Sequence, residues 1–336
     1  MKIALDAMGG DFAPRENVEG ALLAARRYGI SVVLIGDEPT LRKELHKSRF
    51  TSQLIEIVHA AESIDMGEKS VQAVREKKQS SLHVGLDLLK KNEVQAFVSP
   101  GHTGALMTAS ALILKRLDQV ERPAIAGLIP TLRGNTVVLD LGANVDCKPH
   151  HLVQFATMGS VYAHVIEGKT KPKVGLLCNG TEPTKGTELL RTTYQLIEKT
   201  NLNFVGFVES LDVFKGKVDV VVCDGFVGNV FLKTIEGMVS ATSILIRQDI
   251  QRNMFSKALF GLFYMLFKST LKNLGKKFDY SEYGAAPLLG VNGLVFVCHG
   301  KSSRKAIQNA LIRARSSVEG HFLETLNREM LKVHVV

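Results

Sequence analysis

Lys185, Asp224 and Asn229 are the residues of this 336-residue chain whose neighbours best equip them for chemistry. Asp224-Gly225-Phe226-Val227-Gly228-Asn229 follows a valine-rich run, Val218 to Val222, of the kind that fills a strand buried on both faces. An apolar helical pattern at Val230, Ile235 and Met238 comes after it. A buried strand ends, the chain turns on glycines, and a helix begins. In a parallel sheet that is where ligands bind, outside the carboxyl ends of strands and against helix N-termini whose free N–H groups favour anions. Asp224 and Asn229 would project into that crevice, although a plain helix cap at either position explains the same pattern. Lys185 lies in Asn179-Gly-Thr-Glu-Pro-Thr-Lys-Gly186, directly after the strand-like run Lys173 to Cys178. A cation opening a helix opposes the dipole. That conflict favours a charge aimed at phosphate or an oxyanion over a solvated lysine.

The same pattern recurs. Loops 6–11, 99–104, 140–146, 178–186, 223–229 and 298–302 all join glycine to Asp, Asn, Thr, His or Lys at a strand end. Gly101, Gly104, Gly225 and Gly228 would let the backbone approach a ligand and point N–H groups at an anion. His102, Thr103 and Asn144 would add polar side chains. At the same end of one sheet, these loops would form a continuous anion-binding crevice. His102 reads equally as a base or as a polar loop residue, and His150-His151 as a solvated helix start.

Nucleotide sites are excluded on spacing. There is no G-x-G-x-x-G, and Val295 occupies the glycine position that a Walker loop ending in Gly300-Lys301-Ser302 would need. No Ser-His-Asp order, Gly-x-Ser-x-Gly elbow or carboxylate–histidine metal spacing occurs, so neither a metal nor an organic cofactor is expected.

The elements that must position these loops alternate. Strands are expected at 2–6, 31–35, 54–58, 94–98, 124–129, 136–141, 173–178, 218–222 and 291–298, with helices between most of them. Such alternation predicts a parallel sheet with helices on both faces, and a hairpin around 132–135 makes it mixed. No linker or repeat divides the chain, so residues 1–336 are expected to form a single catalytic domain.

Hydrophobic residues make up 45% and charged residues 22%, ordinary values for a soluble enzyme. The net charge of +9 suits acidic partners, but the absence of Trp and of any aromatic-interleaved basic stripe argues against nucleic acid. Cys147, Cys178, Cys223 and Cys298 are scattered, which fits a reducing cytosol, and Cys178, Cys223 and Cys298 read as small buried hydrophobes rather than nucleophiles. A helical arm over 241–275 carries an apolar tip, with Phe255, Leu259, Phe260, Leu262 and Phe263 ringed by Lys and Arg. The apolar stretch, Met254 to Phe267, is too short to span a bilayer and suits an anionic membrane surface, a core helix pair or a dimer interface.

Asp6-Ala-Met-Gly-Gly-Asp11, Thr103-Gly-Ala-Leu-Met107, Arg122-Pro-Ala-Ile125, Asp140-Leu-Gly-Ala-Asn144, Lys185-Gly186, Asp224-Gly-Phe-Val-Gly-Asn229 and Tyr283-Gly-Ala-Ala-Pro-Leu-Leu-Gly290 together resemble bacterial phosphate acyltransferase, over nearly the whole chain. The family usually has Ala and Asn where this chain has Pro100 and His102, and its loop at 178–184 is usually of the Asn-Ile-Gly-Glu-Glu type. The resemblance implies a three-layer α/β/α sandwich like that of isocitrate and isopropylmalate dehydrogenases, assembled as a homodimer. It implies acyl transfer from acyl carrier protein to inorganic phosphate, giving acyl-phosphate for phospholipid synthesis. The product would pass to a glycerol-phosphate acyltransferase. It places the essential lysine and asparagine on Lys185 and Asn229 and a membrane-associating arm on 254–267. A cytoplasmic, peripherally membrane-associated enzyme follows. An oxidoreductase of the same fold, which needs an arginine clamp and metal-binding aspartates, and a non-catalytic membrane-bound scaffold are the competing readings.

Overall fold

The computed structural model describes residues 1–48, 52–251 and 280–332. In chain order the strands are β1 (Lys2–Asp6), β2 (Ser31–Gly36), β3 (Ile55–His59), β4 (Ala96–Ser99), β5 (Ala124–Ile125), β6 (Gly127–Thr131), β7 (Gly134–Leu139), β8 (Lys173–Leu177), β9 (Asn203–Val208), β10 (Val220–Val222), β11 (Ala286–Leu289) and β12 (Val295–Val297). The helices are α1 (Arg15–Tyr28), α2 (Glu38–Lys47), α3 (Ser70–Glu76), α4 (Ser81–Lys90), α5 (Thr103–Ile113), α6 (Pro149–Val165), α7 (Glu188–Glu198), α8 (Ser210–Phe214), α9 (Gly225–Gln251), α10 (Tyr280–Tyr283), α11 (Arg304–Glu319) and α12 (Phe322–Met330).

The strands form two sheets rather than one. The larger runs β3-β2-β1-β4-β12-β11-β5 and the smaller β6-β7-β10-β8-β9. In the larger, β3 through β12 are parallel, while β11 is antiparallel to both β12 and β5. In the smaller, β7, β10, β8 and β9 are parallel and β6 closes the edge as the expected hairpin. Sheets that are mixed and mainly parallel, with helices on both sides, are the architecture the alternation of elements anticipates.

Alternate residues sort onto the two faces. Ile3 and Leu5 join one apolar cluster with Val18 and Ala21 of α1 and Ile307 of α11, while Ala4 joins a second with Leu82 and Leu86 of α4 and Leu106 of α5. The smaller sheet repeats the division, with Val137, Leu139, Val220 and Val222 facing Leu152 and Phe155 of α6, and Val138 and Val221 facing the other way. Both clusters therefore run through both sheets.

The passage between sheets is one residue long. β5 ends at Ile125 and β6 begins at Gly127, with Ala126 N donating to Pro287 O at 3.1 Å. Asp140, at the carboxyl end of β7 and fully buried, fixes this junction. Its Oδ1 accepts from Ile125 N at 3.0 Å and Ala143 N at 3.2 Å, and its Oδ2 from Asn144 N at 2.6 Å and Asn144 Nδ2 at 3.0 Å. Burial pushes the carboxyl pKa up from 3.8, and the hydrogen bonds oppose that rise. The folded state thus holds this proton more tightly than the unfolded chain, and the group's contribution falls as pH rises from 3.8 through the raised folded value.

Asp140→Asn tests the staple. An amide offers one acceptor oxygen, so whichever way it sits, its NH2 faces two of the four donors. We expect a loss of about 2–4 kcal/mol in urea unfolding at neutral pH. The falling contribution above pH 3.8 should disappear in the same variant.

Candidate active site

The six glycine loops fall into two groups of three, one at the carboxyl edge of each sheet. The one-sheet arrangement expected from sequence fails because β5 and β6, read as one strand, belong to different sheets.

In the larger sheet the loops after β1, β4 and β12 interlock. Asp6, nearly fully buried, accepts at Oδ1 from Met8 N and Gly9 N, both at 3.1 Å, and at Oδ2 from Ser99 Oγ at 2.8 Å. Ser99 Oγ in turn accepts from Gly101 N at 3.0 Å, and Asp11 N donates to Gly300 O at 2.8 Å. A side chain at Gly9 would meet Gly101 N at 2.7 Å, so the two backbones touch. Burial raises the Asp6 carboxyl pKa, as it does for Asp140. The two sheets thus use one device, a buried carboxylate at a strand end gathering the N–H groups of the loop that follows.

In the smaller sheet, loops 140–146 and 223–229 pack directly. Gly225 N donates to Asn144 O at 2.7 Å. A side chain at Gly225 would lie 2.7 Å from Asp140 Oδ2, and one at Gly228 would overlap the Asp140 carbonyl oxygen. These glycines let the first turn of α9 rest on the end of β7. Gly142, at φ 118°, lies beneath Asn229. Loop 178–186 follows β8, which pairs with β10, so Lys185 emerges from the strand end next to that of Asp224. A side chain at Gly180 would come 3.0 Å from Lys185 Cγ, so its absence lets the lysine stem fold back across the loop.

The polar side chains named from sequence divide into two kinds. Asp224 Oδ1 accepts from Val227 N at 2.9 Å and caps α9. His102 caps α5, with Nδ1 accepting from Ala105 N at 3.3 Å, so Nε2 carries the proton and faces Glu68 O at 3.1 Å. Both imidazole nitrogens are engaged, which leaves no free base there. Asn144 gives its amide hydrogens to Pro123 O at 2.7 Å and to Asp140. Lys185 and Asn229 differ: both are exposed, and neither makes a side-chain hydrogen bond or ion pair among the described residues. Thr103 and Gly104 open α5, and Gly101 is buried beneath them.

Three of the four thiols are poor nucleophiles. Burial, with Asp140 and Asp224 nearby, pushes Cys147 up to about 11, and burial raises Cys223 and Cys298 as well. Cys178 is half-buried against Gly186.

One cluster escaped the sequence reading. His151 is buried, not solvated, and its Nε2 lies 3.2 Å from Glu121 Oε2, with His150 Nε2 at 2.9 Å from the same oxygen. Glu121 and the histidine pair lie 29 and 30 residues apart, so no local spacing signals the contact. The three could gather a cation by distance. However, His151 Nδ1 accepts from Lys148 N at 3.0 Å. Its proton therefore sits on Nε2 and points at the carboxylate, which removes the lone pair a metal would need. The trio is a hydrogen-bonded latch between the start of α6 and the segment before β5.

α9 also departs from expectation. Val230 and Met238 are exposed, while Phe231, Leu232 and Ile235 pack against the core. By length and composition Gly225–Ile246 could cross a bilayer, yet its first turn is capped and pressed onto β7. Phe255, Leu259, Phe260, Leu262 and Phe263, the expected arm tip, lie outside the described residues.

Residues 1–325 match the family model described as "Fatty acid synthesis protein". The phosphate acyltransferase of Pelotomaculum thermopropionicum is 49% identical over 335 residues, covering 100% of this chain and 96% of its own. The chain belongs to the bacterial phosphate acyltransferase family. A second member, the phosphate acyltransferase of Geobacter sulfurreducens, is 48% identical over 330 residues, covering 98% of this chain and 94% of its own. Its members are acyl-transferring enzymes by name. In fold, the chain is also similar to a phosphotransacetylase from Streptococcus pyogenes, with a TM-score of 0.61, 17% identity, and coverage of 95% and 94% of the two chains.

Gly228→Ala should unseat the first turn of α9, since the added methyl overlaps the Asp140 carbonyl oxygen. Expected outcomes are a destabilisation of about 2 kcal/mol or more and faster amide exchange at 227–231. Exchange rates equal to those of the parent protein would show that the close approach is not required.

Proposed function

We propose that this enzyme moves a long-chain fatty acyl group from an acyl carrier protein thioester to inorganic phosphate. The acyl-phosphate formed would enter phospholipid synthesis. The observation that carries the reading is the pairing of two uncommitted polar groups, Lys185 and Asn229, at adjacent strand ends among glycine loops. Membership of the phosphate acyltransferase family supplies the reaction type.

Phosphate is held among the loop amides, in the field of the α9 N-terminus and beside Lys185. A phosphate oxygen attacks the thioester carbonyl, a C–O bond forms, and the carbonyl electrons move to oxygen. On collapse the C–S bond breaks and the thiolate leaves, taking a proton from water. Phosphate is already anionic near neutral pH and thiolate is a good leaving group, so positioning and charge stabilisation matter more than a strong base. Lys185 offsets charge on phosphate and on the tetrahedral intermediate. Asn229 donates through its amide to phosphate or to the developing oxyanion. Asp224 holds α9, and hence Asn229, in place. Gly101, His102, Thr103 and Gly104 supply a second anion-favouring helix start at α5. No organic cofactor enters these steps.

The exposed apolar side chains of α9, among them Phe226, Met238 and Leu245, support a surface that is covered in use. A second copy of the chain near the sheets and an anionic membrane near the tip account for both parts of it. On this reading the enzyme is a cytoplasmic, peripherally membrane-associated homodimer.

Purified protein, acyl-carrier thioester and phosphate, monitored for free carrier thiol, test the assignment. Lys185→Ala should lower turnover by about 10²–10³ and Asn229→Ala by a similar order. Both side chains are exposed, so the melting temperature should stay at the parent value. Near-normal turnover in Lys185→Ala would defeat the reading.

A further inference from the structure

A groove on the smaller sheet has a shape and charge that the transfer chemistry leaves unexplained. It encloses about 380 Å³ and is lined by Arg133, Lys173, Lys217 and Asp212 at one end and by Thr181 at the other, over Val205, Phe207, Val208 and Val218. Its floor forms where β8 carries Gly175: a side chain there would meet Val208 Cγ1 at 2.7 Å and Val218 Cγ1 at 3.2 Å. The two valines close over the glycine and leave a shallow apolar track.

The ends of the track differ. Lys173 begins β8, Lys217 precedes β10, and Arg133 sits in the turn between β6 and β7, so these cations share the amino edge of the sheet. Lys171 and Lys215 are exposed nearby in sequence. Asp212 pairs with Lys217 at 2.5 Å and Asp219 with Lys169 at 3.1 Å. Among the described residues, the side chains of Arg133, Lys171 and Lys173 make no ion pair, while Lys215 shares the field of Asp212 with Lys217. Thr181 lies past the carboxyl end of β8, in the loop that carries Lys185. Between the ends runs the length of β8, five residues, or roughly 16 Å at strand rise.

We propose that this groove is the track along which an acidic carrier protein delivers its thioester. The carrier docks on the basic amino edge, the phosphate at the root of its arm meets Lys173 and Arg133, and the arm lies over the valine floor. Its far end reaches the Lys185 loop. The proposal rests on the acyl-transfer reading above and adds the substrate's docking surface to it. Charge complementarity selects the occupant. A free fatty acid would use the floor but not the cations of the amino edge, and a neutral partner would leave that edge unused.

The test compares one acyl group on two supports: the carrier protein, and pantetheine lacking both the phosphate and the protein. Arg133→Glu combined with Lys173→Glu should raise KM for the carrier-bound thioester by about tenfold, with the effect shrinking as salt rises. KM for acyl-pantetheine should stay within about twofold, because the apolar floor is intact. Val205→Trp, on the exposed edge of the floor, should raise KM for both. An unchanged carrier KM in the charge-reversed protein, or equal losses on both supports, overturns the groove while transfer itself stands. If the unsubstituted protein releases no thiol in the presence of phosphate from either support, the functional reading fails and the groove with it.

Discussion

Everything at the smaller sheet's edge depends on one buried carboxylate. Asp140 collects N–H groups from Ile125, Ala143 and Asn144, and so ties the edge strand of one sheet to the site loop of the other. Asn144 then receives Gly225 N, which seats α9, and α9 carries Asn229. A charge buried this deeply is costly unless hydrogen-bonded, and here both oxygens are doubly satisfied. Asp6 performs the same task at the other sheet with Met8, Gly9 and Ser99. Both carboxylates are buried and engaged by donors of the protein itself. Both hold backbone amides in place so that other groups can act, which is how a site can be preorganised without a catalytic acid or base.

The split between engaged and free side chains gives the site its character. Asp224, His102 and Asn144 are polar residues in glycine loops, as Lys185 and Asn229 are. Composition alone cannot separate them, because capping and ligand binding draw on the same donors and acceptors. Hydrogen-bond partners separate them at once. A helix cap was open to both Asp224 and Asn229 in the sequence; the geometry gives the cap to Asp224 and leaves the Asn229 side chain without a hydrogen bond among the described residues.

Much of the fold was legible where one residue period dominated. α1, α2, α4 and the core strands β1, β2, β4 and β8 fall within a few residues of their expected places. β9 was missed because Gly206, at φ 91°, interrupts its alternation. β11 was missed because Pro287 sits inside it, which argues against a strand, yet β11 lies between β12 and β5 and Pro287 takes part through its carbonyl, which accepts from Ala126 N. The two-sheet division had no sequence signal, since only Ala126 separates β5 from β6. Of the expected α9 stripe, Ile235 packs against the core while Val230 and Met238 are exposed; the helix is apolar on several sides, so Phe231 and Leu232 fit a helical stripe with Ile235 as well. The contact of His151 with Glu121 depends on chain folding across 30 residues and could not have been read locally.

The seating of α9 has a mechanical corollary. The helix has 27 residues, a rod of about 40 Å, fastened at one end by Asp224 and by the fit of Gly228 on β7. Asn229 sits within roughly 6 Å of that fulcrum. Whatever bears on the helix near Gln251 therefore works at poor leverage on the amide. If the shaft swings by about 3 Å at its tip, Asn229 shifts by roughly half an ångström. A load at the far end of α9 thus leaves the position of Asn229 nearly unchanged.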